Sequence, residues 1–301
     1  MSARDVQTLC RALCRALAAP LAAPLALIGA AAALCAACGA KDFDPQSLLS
    51  GYRVVAITAE PPTLTLDAES VVEVVDFHPA DLEEGDARPA VAYEWRLCPL
   101  SLGSVTKYKC FVDEVTLTPE GDGRVARVSP AGLLAQAGDI MARLAEEAAK
   151  AGPLAADADL SALEMYLKLT ATPAEGAPLE VVKRLTLNIK PEAPLNANPA
   201  LPADALAVEP VEGSSSSVSG VLELTLALPA EAAEEAEELV VAWSTSAGAL
   251  ARDYSFVDDP TVTITLPDEP QRVRVYAAVR DGRGGVTVRS VDIDVTSADP
   301  M

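Results

Sequence analysis

The chain has 301 residues, half of them hydrophobic but only 4% aromatic, so its apolar content is mostly Ala, Leu and Val. Its 44 acidic residues against 23 basic ones give a formal charge of -21, which argues against nucleic-acid partners, since that binding comes from neutralising phosphates with Lys and Arg. A single histidine, His78, excludes a His-rich metal site and any constellation built on two imidazoles.

Residues 1–37 read as a secretory signal. Arg4, Arg11 and Arg15 form a positive start, an uncharged stretch runs from Ala16 to Leu34, and the small residues Ala36 and Ala37 precede Cys38. A membrane-spanning helix competes with this reading, because the apolar run approaches the ~20 residues a span needs. Pro20, Pro24 and the abundance of alanine weaken it. Leu34-Cys35-Ala36-Ala37-Cys38-Gly39 resembles the lipobox of bacterial lipoproteins, with Cys35 where leucine is customary. The resemblance implies cleavage before Cys38, acylation of its thiol and a permanent lipid anchor in a membrane. Gly39, where an inner-membrane retention signal would place aspartate, implies the outer membrane, on its periplasmic or surface face. With Cys10, Cys14 and Cys35 removed and Cys38 acylated, Cys98 and Cys110 remain, and in an exported chain such a pair reads as a disulfide. A reactive or metal-binding thiol pair is the alternative, but the neighbours Leu97, Pro99, Lys109 and Phe111 add no ligands.

Residues 38–51 are expected to be the lipidated cysteine and a polar tether. A first β-rich domain follows over 52–190. Val71, Glu73, Val75 and Phe77 alternate with Val72, Val74 and Asp76; Val91, Tyr93, Trp95 and Leu97 share a face opposite Ala92, Glu94 and Arg96. This period of two is the half-buried strand signature. Pro61-Pro62, Glu84-Gly85-Asp86 and Glu120-Gly121-Asp122-Gly123 supply turns. One helix is predicted over 130–151, capped by Ser129, begun by Pro130 and ended by Gly152-Pro153, with an apolar stripe of Leu133, Leu134, Ala137, Met141, Leu144 and Ala148 expected to face the sheet. Strands resume over 165–172 and 179–189. The Pro-rich stretch 191–203, with Asn196 and Asn198, reads as a semi-extended linker. A second β domain is expected over 204–298, from the alternation of Leu222, Leu224, Leu226 and Leu228, of Val262, Ile264 and Leu266, and of Val273, Val275, Ala277 and Val279.

The halves echo each other. Trp95 and Trp243 each fall late in a middle strand, and each half ends in a hairpin. These segments resemble immunoglobulin-like domains of the PKD kind found on bacterial surfaces. The fold class is therefore mostly β: two Ig-like β-sandwich domains in tandem, the first with an inserted helix, behind a signal peptide. The whole arrangement also resembles predicted lipoproteins of Gram-negative bacteria, a family that brings no activity with it.

No Gly-x-Ser-x-Gly elbow and no His-Glu-x-x-His motif occurs, so no catalytic residues are assigned and enzymatic chemistry is not expected. No cofactor is assigned either. Calcium is the candidate considered, with oxygen ligands from Asp253, Asp258 and Asp259, or from Asp76, Asp81, Glu83, Glu84 and Asp86; neither group has EF-hand spacing. The glycines of Asp281-Gly282-Arg283-Gly284-Gly285 suggest a phosphate cradle, but without a following Lys-Ser/Thr they read as a hairpin turn. Trp95 and Trp243 are either a carbohydrate platform or core, and alternation favours core. The function expected is non-catalytic recognition or adhesion of a protein or glycan partner, through loops at the far end of the second domain. The alternative is a structural subunit docking through a sheet edge or the helix.

Overall fold

The structure is a computed structural model, and it describes residues 45–83, 87–101, 103–151, 162–190, 195–211, 220–228 and 239–296. The segments expected to be a signal peptide (1–37), the lipidated Cys38, a turn at Glu84-Gly85-Asp86 and a helix stop at Gly152-Pro153 lie outside the described residues.

The alternating apolar rows fold into strands of four sheets. In the first pair, one sheet has the order β1 (Arg53–Glu60), β3 (Ser70–Phe77), β7 (Val125–Val128), β6 (Pro119–Glu120); the other has the order β2 (Thr63–Leu64), β9 (Leu179–Asn188), β8 (Ala162–Pro173), β4 (Val91–Cys98), β5 (Val115–Leu117). All neighbours pair antiparallel except β2 with β9. The second pair sets β10 (Leu206–Pro210), β11 (Val221–Leu226), β15 (Thr261–Thr265), β13 (Ala249–Leu250) against β14 (Tyr254–Phe256), β12 (Val240–Thr245), β16 (Gln271–Arg280), β17 (Val286–Val295). Each pair encloses its own core, one centred on Val72, Trp95, Leu167 and Leu185, the other on Leu224, Trp243, Ile264 and Val275. Both pairs carry the immunoglobulin strand order, A-B-E-D on one sheet and C-F-G on the other, with a buried Trp on strand C. That strand is β4 in one pair and β12 in the other, so the echo between the halves is an echo of topology. Trp95 is 0% exposed and Trp243 1%, which makes both of them core.

The helical insertion between β7 and β8 departs from expectation. It is two segments, α1 (Pro130–Leu134) and α2 (Ala137–Ala151). At the break the Gln136 amide donates to Leu133 O, three residues back rather than four, which tightens the turn and re-aims α2. Leu133 and Ile140 are buried, whereas Leu134 and Met141 of the expected stripe are exposed.

The expected tether and linker are both docked. Leu49 N donates to Thr245 O (2.8 Å) and Thr245 N to Ser47 O (2.8 Å), so Gln46–Leu49 is clipped to the end of β12 rather than solvated. Leu49 joins Phe77 and Tyr276 in a third, small core that bridges the two sheet pairs. The stretch 195–203 is a strap, not a free linker. Asn198 Nδ2 donates to Ala59 O (2.7 Å) and its Oδ1 accepts from Val286 N (2.9 Å); Asn196 Nδ2 donates to Asp281 Oδ2 (2.6 Å); Thr287 Oγ1 donates to Pro199 O (2.7 Å). Gln46–Met301 accordingly forms one compact unit.

Candidate functional site

Cys98 ends β4 and is bonded to Cys110 (Sγ–Sγ 2.09 Å), closing the loop between β4 and β5. Inside that loop a short 3-10 helix (Gly103–Thr106) is held by Thr106 Oγ1 donating to Gly103 O (3.2 Å) and by Gly103 N donating to Ser101 Oγ (3.2 Å). Gly103 has φ +62°, and a Cβ there would stand 2.7 Å from the Tyr166 hydroxyl, so any other residue would have to displace the Tyr166 ring and accept a strained backbone. Two consecutive non-glycine residues, Lys107 (φ 52°) and Tyr108 (φ 56°), also take the left-handed conformation. Each costs roughly 1 kcal/mol or more, a strain that persists only where surrounding structure enforces it and that clusters at ligand-contacting positions. The enforcement is visible here: Tyr108 N donates to Gly103 O (2.8 Å), and the Tyr108 ring packs on Tyr166 with centroids 5.2 Å apart. At the tip, Val105 is 86% exposed.

Lys107 and Tyr108 border a groove of about 410 Å³ whose floor is the outward face of the five-stranded sheet, with Arg96 from β4, Lys168 and Thr170 from β8, and Glu180 from β9. Lys168 Nζ meets Glu114 Oε1 at 2.5 Å, and Arg96 pairs with Glu94 (2.5 Å) and Glu114 (3.7 Å). The hydrogen bond and charge of Glu94 hold the Arg96 guanidinium above its ordinary value. The groove therefore offers fixed donors and acceptors of both signs beside an aromatic ring, a surface suited to binding a polar partner and supplying no nucleophile–base pair.

A second polar group lies at the end of β3. Asp76 is buried, and its Oδ2 accepts from Arg88 Nη2 (2.6 Å) and from the Tyr93 hydroxyl, while Arg124 Nη2 stands 3.4 Å from Oδ1. Burial and the Asp76 carboxylate push the Tyr93 phenol up, and burial together with neighbouring Tyr93 and Asp76 does the same to Tyr52. His78 caps the short 3-10 helix at Pro79–Leu82, its Nδ1 accepting from Ala80 N (3.1 Å). None of these groups lines the groove or the two cavities described next, so the cluster acts as a buried ion-pair network that ties Asp81 and Arg88 to the end of β3.

The second cavity, about 320 Å³, lies between α2 and the ends of β8 and β9 and is walled by Leu66, Leu134, Met141, Leu163 and Ile189. The third, about 350 Å³, lies where the hairpin joining β16 and β17 meets β1 and β9. That hairpin is the Asp281–Gly285 turn expected from the sequence. Its loop is not free: Lys183 Nζ donates to Gly284 O (2.5 Å) and Arg184 Nη2 to Gly282 O.

Of the calcium candidates, Asp253, Asp258, Asp259, Asp76, Asp81 and Glu83 are among the described residues, whereas Glu84 and Asp86 lie outside them. Among the described residues no group of three or more His, Cys, Asp or Glu is placed to hold a metal ion. Asp259 is engaged by Arg252 Nη2 (2.6 Å) and Thr261 Oγ1 (2.6 Å), while Asp253 contributes its backbone carbonyl to Trp243 N. Asp76 and Asp81 share Arg88. Among the described residues, no helix is long and apolar enough to cross a membrane. What the sequence reading missed was the loop's strain and the buried Lys183 and Asp76. The last two had a visible signal, since each sits on the apolar row of its strand (Val181, Lys183, Leu185, Leu187 and Val72, Val74, Asp76).

No protein-family description matches the chain, and neither does any curated protein. Among solved structures, the chain is similar to the FN1-FN3 domains of chicken CNTN1 (9% identity, 81% of this chain and 64% of that one, TM-score 0.24). It is also similar to the D0-D1 domain of Intimin (10% identity, 80% and 99%, TM-score 0.21). A third similarity is to SGBP-B of the Bacteroides ovatus mixed-linkage glucan utilization locus, solved with a mixed-linkage heptasaccharide (11% identity, 82% and 47%, TM-score 0.23). The chain spans under two thirds of the CNTN1 and SGBP-B chains. At these scores the similarities carry no argument of their own; the mostly β architecture rests on the strand order above.

Proposed function

We propose that this protein is a non-catalytic recognition module of the bacterial cell envelope: two immunoglobulin-like sandwiches in tandem, held to the outer membrane by a lipid on Cys38. The observation that carries the recognition reading is the disulfide-closed loop, in which Lys107 and Tyr108 are kept in strained backbone conformations at the border of a polar groove. A loop with no partner gains nothing from such strain, whereas a loop that must present an aromatic and a cation in fixed directions does. This moves the expected contact surface from the second half to the first, because the 281–285 loop is already taken up by the contact with β9.

A docking role has one specific observation in its favour. Tyr254 and Phe256 stand exposed on β14, the edge strand of its sheet, and an exposed apolar edge is a template for another chain.

Photo-crosslinking in intact cells separates the two, with the reactive side chain placed at Val105, at Phe256, or at Glu209 as a control on exposed β10. Adducts confined to Val105 support recognition through the disulfide loop. Adducts confined to Phe256 support docking, and equal labelling at all three positions defeats both. For the anchor, Cys38→Ala is expected to abolish fatty-acid labelling and release the protein from membranes.

A further inference from the structure

In a chain of charge -21, one cavity has cations as the only charged residues of its lining. The space of about 350 Å³ between β1, β9 and the β16–β17 hairpin has Lys183, Arg184 and Arg280 in its wall and no carboxylate. It exists because β2 pairs only with Thr186 and Leu187, so that at 181–184 β9 is paired on one side, by β8, and its other edge has no strand against it among the described residues. The hairpin from the other half closes the gap and brings Arg280 opposite Lys183.

The neutralisation of these cations is incomplete. Arg184 meets Glu164 Oε1 at 3.3 Å outside the cavity. Lys183 is 7% exposed, and among the described residues its ammonium has one hydrogen-bond partner, the Gly284 carbonyl, for three N–H donors. Arg280 is accessible at the surface yet flanked by protein; among the described residues its side chain has one hydrogen-bond partner, the Val55 carbonyl at 3.4 Å, and the Tyr254 phenol as its electrostatic neighbour. Asp281, the nearest acid, is turned inward: Oδ1 accepts from Arg283 N and Gly285 N (2.8 Å each), and Oδ2 accepts from Asn196 Nδ2 (2.6 Å). Its charge is largely satisfied by these donors. Burial, followed by the charge of Arg280, pushes the Lys183 ammonium down to about 8, as expected of a cation waiting for a counter-charge. The remaining wall is aliphatic, from Val54, Ile57, Val182 and Val286.

We infer that this cleft binds a small organic anion, a carboxylate or phosphate head between Lys183 and Arg280 with a short apolar portion against the valines. Such a ligand would bridge the two sheet pairs, because Lys183 belongs to one and Arg280 to the other. The anionic head supplies what each cation lacks, and charge-assisted hydrogen bonds of this kind are the strong ones.

The test is calorimetric titration of the purified protein, in parallel with melting curves, using hexanoate, hexyl phosphate and 1-hexanol at matched ionic strength. Saturable binding of hexanoate or hexyl phosphate, with a raised melting temperature and no response to 1-hexanol, supports the inference; which head binds tighter identifies the class. Arg280→Gln, on the surface, and Lys183→Met, which removes a buried charge, are each expected to weaken binding by about tenfold or more while the variant still melts cooperatively. Binding of neither anion above the chloride background, or affinity unchanged in both variants, overturns it. So does equal binding of 1-hexanol, which would make the cleft an apolar pocket only.

Discussion

Lys183 and Asp76 each occupy a strand position otherwise given to aliphatic side chains, and each is buried. They differ in what meets them. Asp76 is held by Arg88, Arg124 and Tyr93, so removing it leaves Arg88 with Asp81 and Arg124 with Asp122 as their remaining acids and takes away the buried acceptor at the centre of the network. Asp76→Ala is expected to cost about 2 kcal/mol in urea unfolding, because the Tyr93 hydroxyl and two partly buried guanidinium groups lose that acceptor. Lys183 faces Arg280 and Arg184 as repulsive neighbours and only Asp281 as an attractive one. Its folded-state value of about 8 lies below the ordinary value of 10.5. Below pH 8 both folded and unfolded chains carry the proton, and the folded state bears the full desolvation cost. Between about pH 8 and 10.5 the unfolded chain binds more protons, so stability rises with pH across that window. Lys183→Met is expected to flatten this rise, as read from denaturant midpoints at pH 7.5, 9 and 10.5; an identical slope in the variant would remove Lys183 as its source.

Among the elements, the β4–β5 loop depends on its covalent closure. Replacing Cys98 and Cys110 with Ala is expected to lower stability by roughly 3 kcal/mol in the chain-entropy account of a loop this long, measurable as a shift in urea midpoint that reductant produces in the parent and not in the variant. The β16–β17 turn depends on Gly285, where a Cβ would stand 2.9 Å from Ala197 O and closer still to the Asp281 carboxylate. Gly285→Ala is therefore expected to lower the melting temperature, since both obstacles are parts of the strap and turn that cannot swing away. The strands of both cores were legible from period-two rows such as Val91, Tyr93, Trp95 and Leu97, because a sheet with one buried face imposes that period directly on the sequence. The cysteine pair was legible from counting. The helical insertion was legible in place but not in form: the burial of Ile140 instead of Met141 follows from a tightened turn at Gln136 that no side-chain pattern announces. Lys107 and Tyr108 were not legible, because left-handed backbone is advertised by Gly and Asn, and here it is forced by the closed loop on residues with no such preference. Asn196 and Asn198 read as linker because hydrogen bonds to residues far away in sequence leave no local trace.

Within Gln46–Met301 the described residues form two cores joined by a third, and the 195–203 strap is hydrogen-bonded to residues of both halves. Scanning calorimetry of the parent is expected to show a single transition, because either half melting alone would expose Leu49, Phe77 and Tyr276 and break the Asn196 and Asn198 hydrogen bonds. Asn196→Ala combined with Asn198→Ala is expected to separate this into two transitions; a variant that still melts in one step would show that the small third core alone couples the halves. The clip between Gln46–Leu49 and Thr245 has a further consequence for biosynthesis. Its acceptor strand emerges from the ribosome long after the segment it receives, so Gln46–Leu49 stays unseated until β12 has been made. A product cut short before that point leaves Leu49 without its β12 partner, displaying greasy surface of the sort that quality-control proteases act upon. Seating of Gln46–Leu49 thus certifies that the polypeptide has been synthesised at least through Thr245.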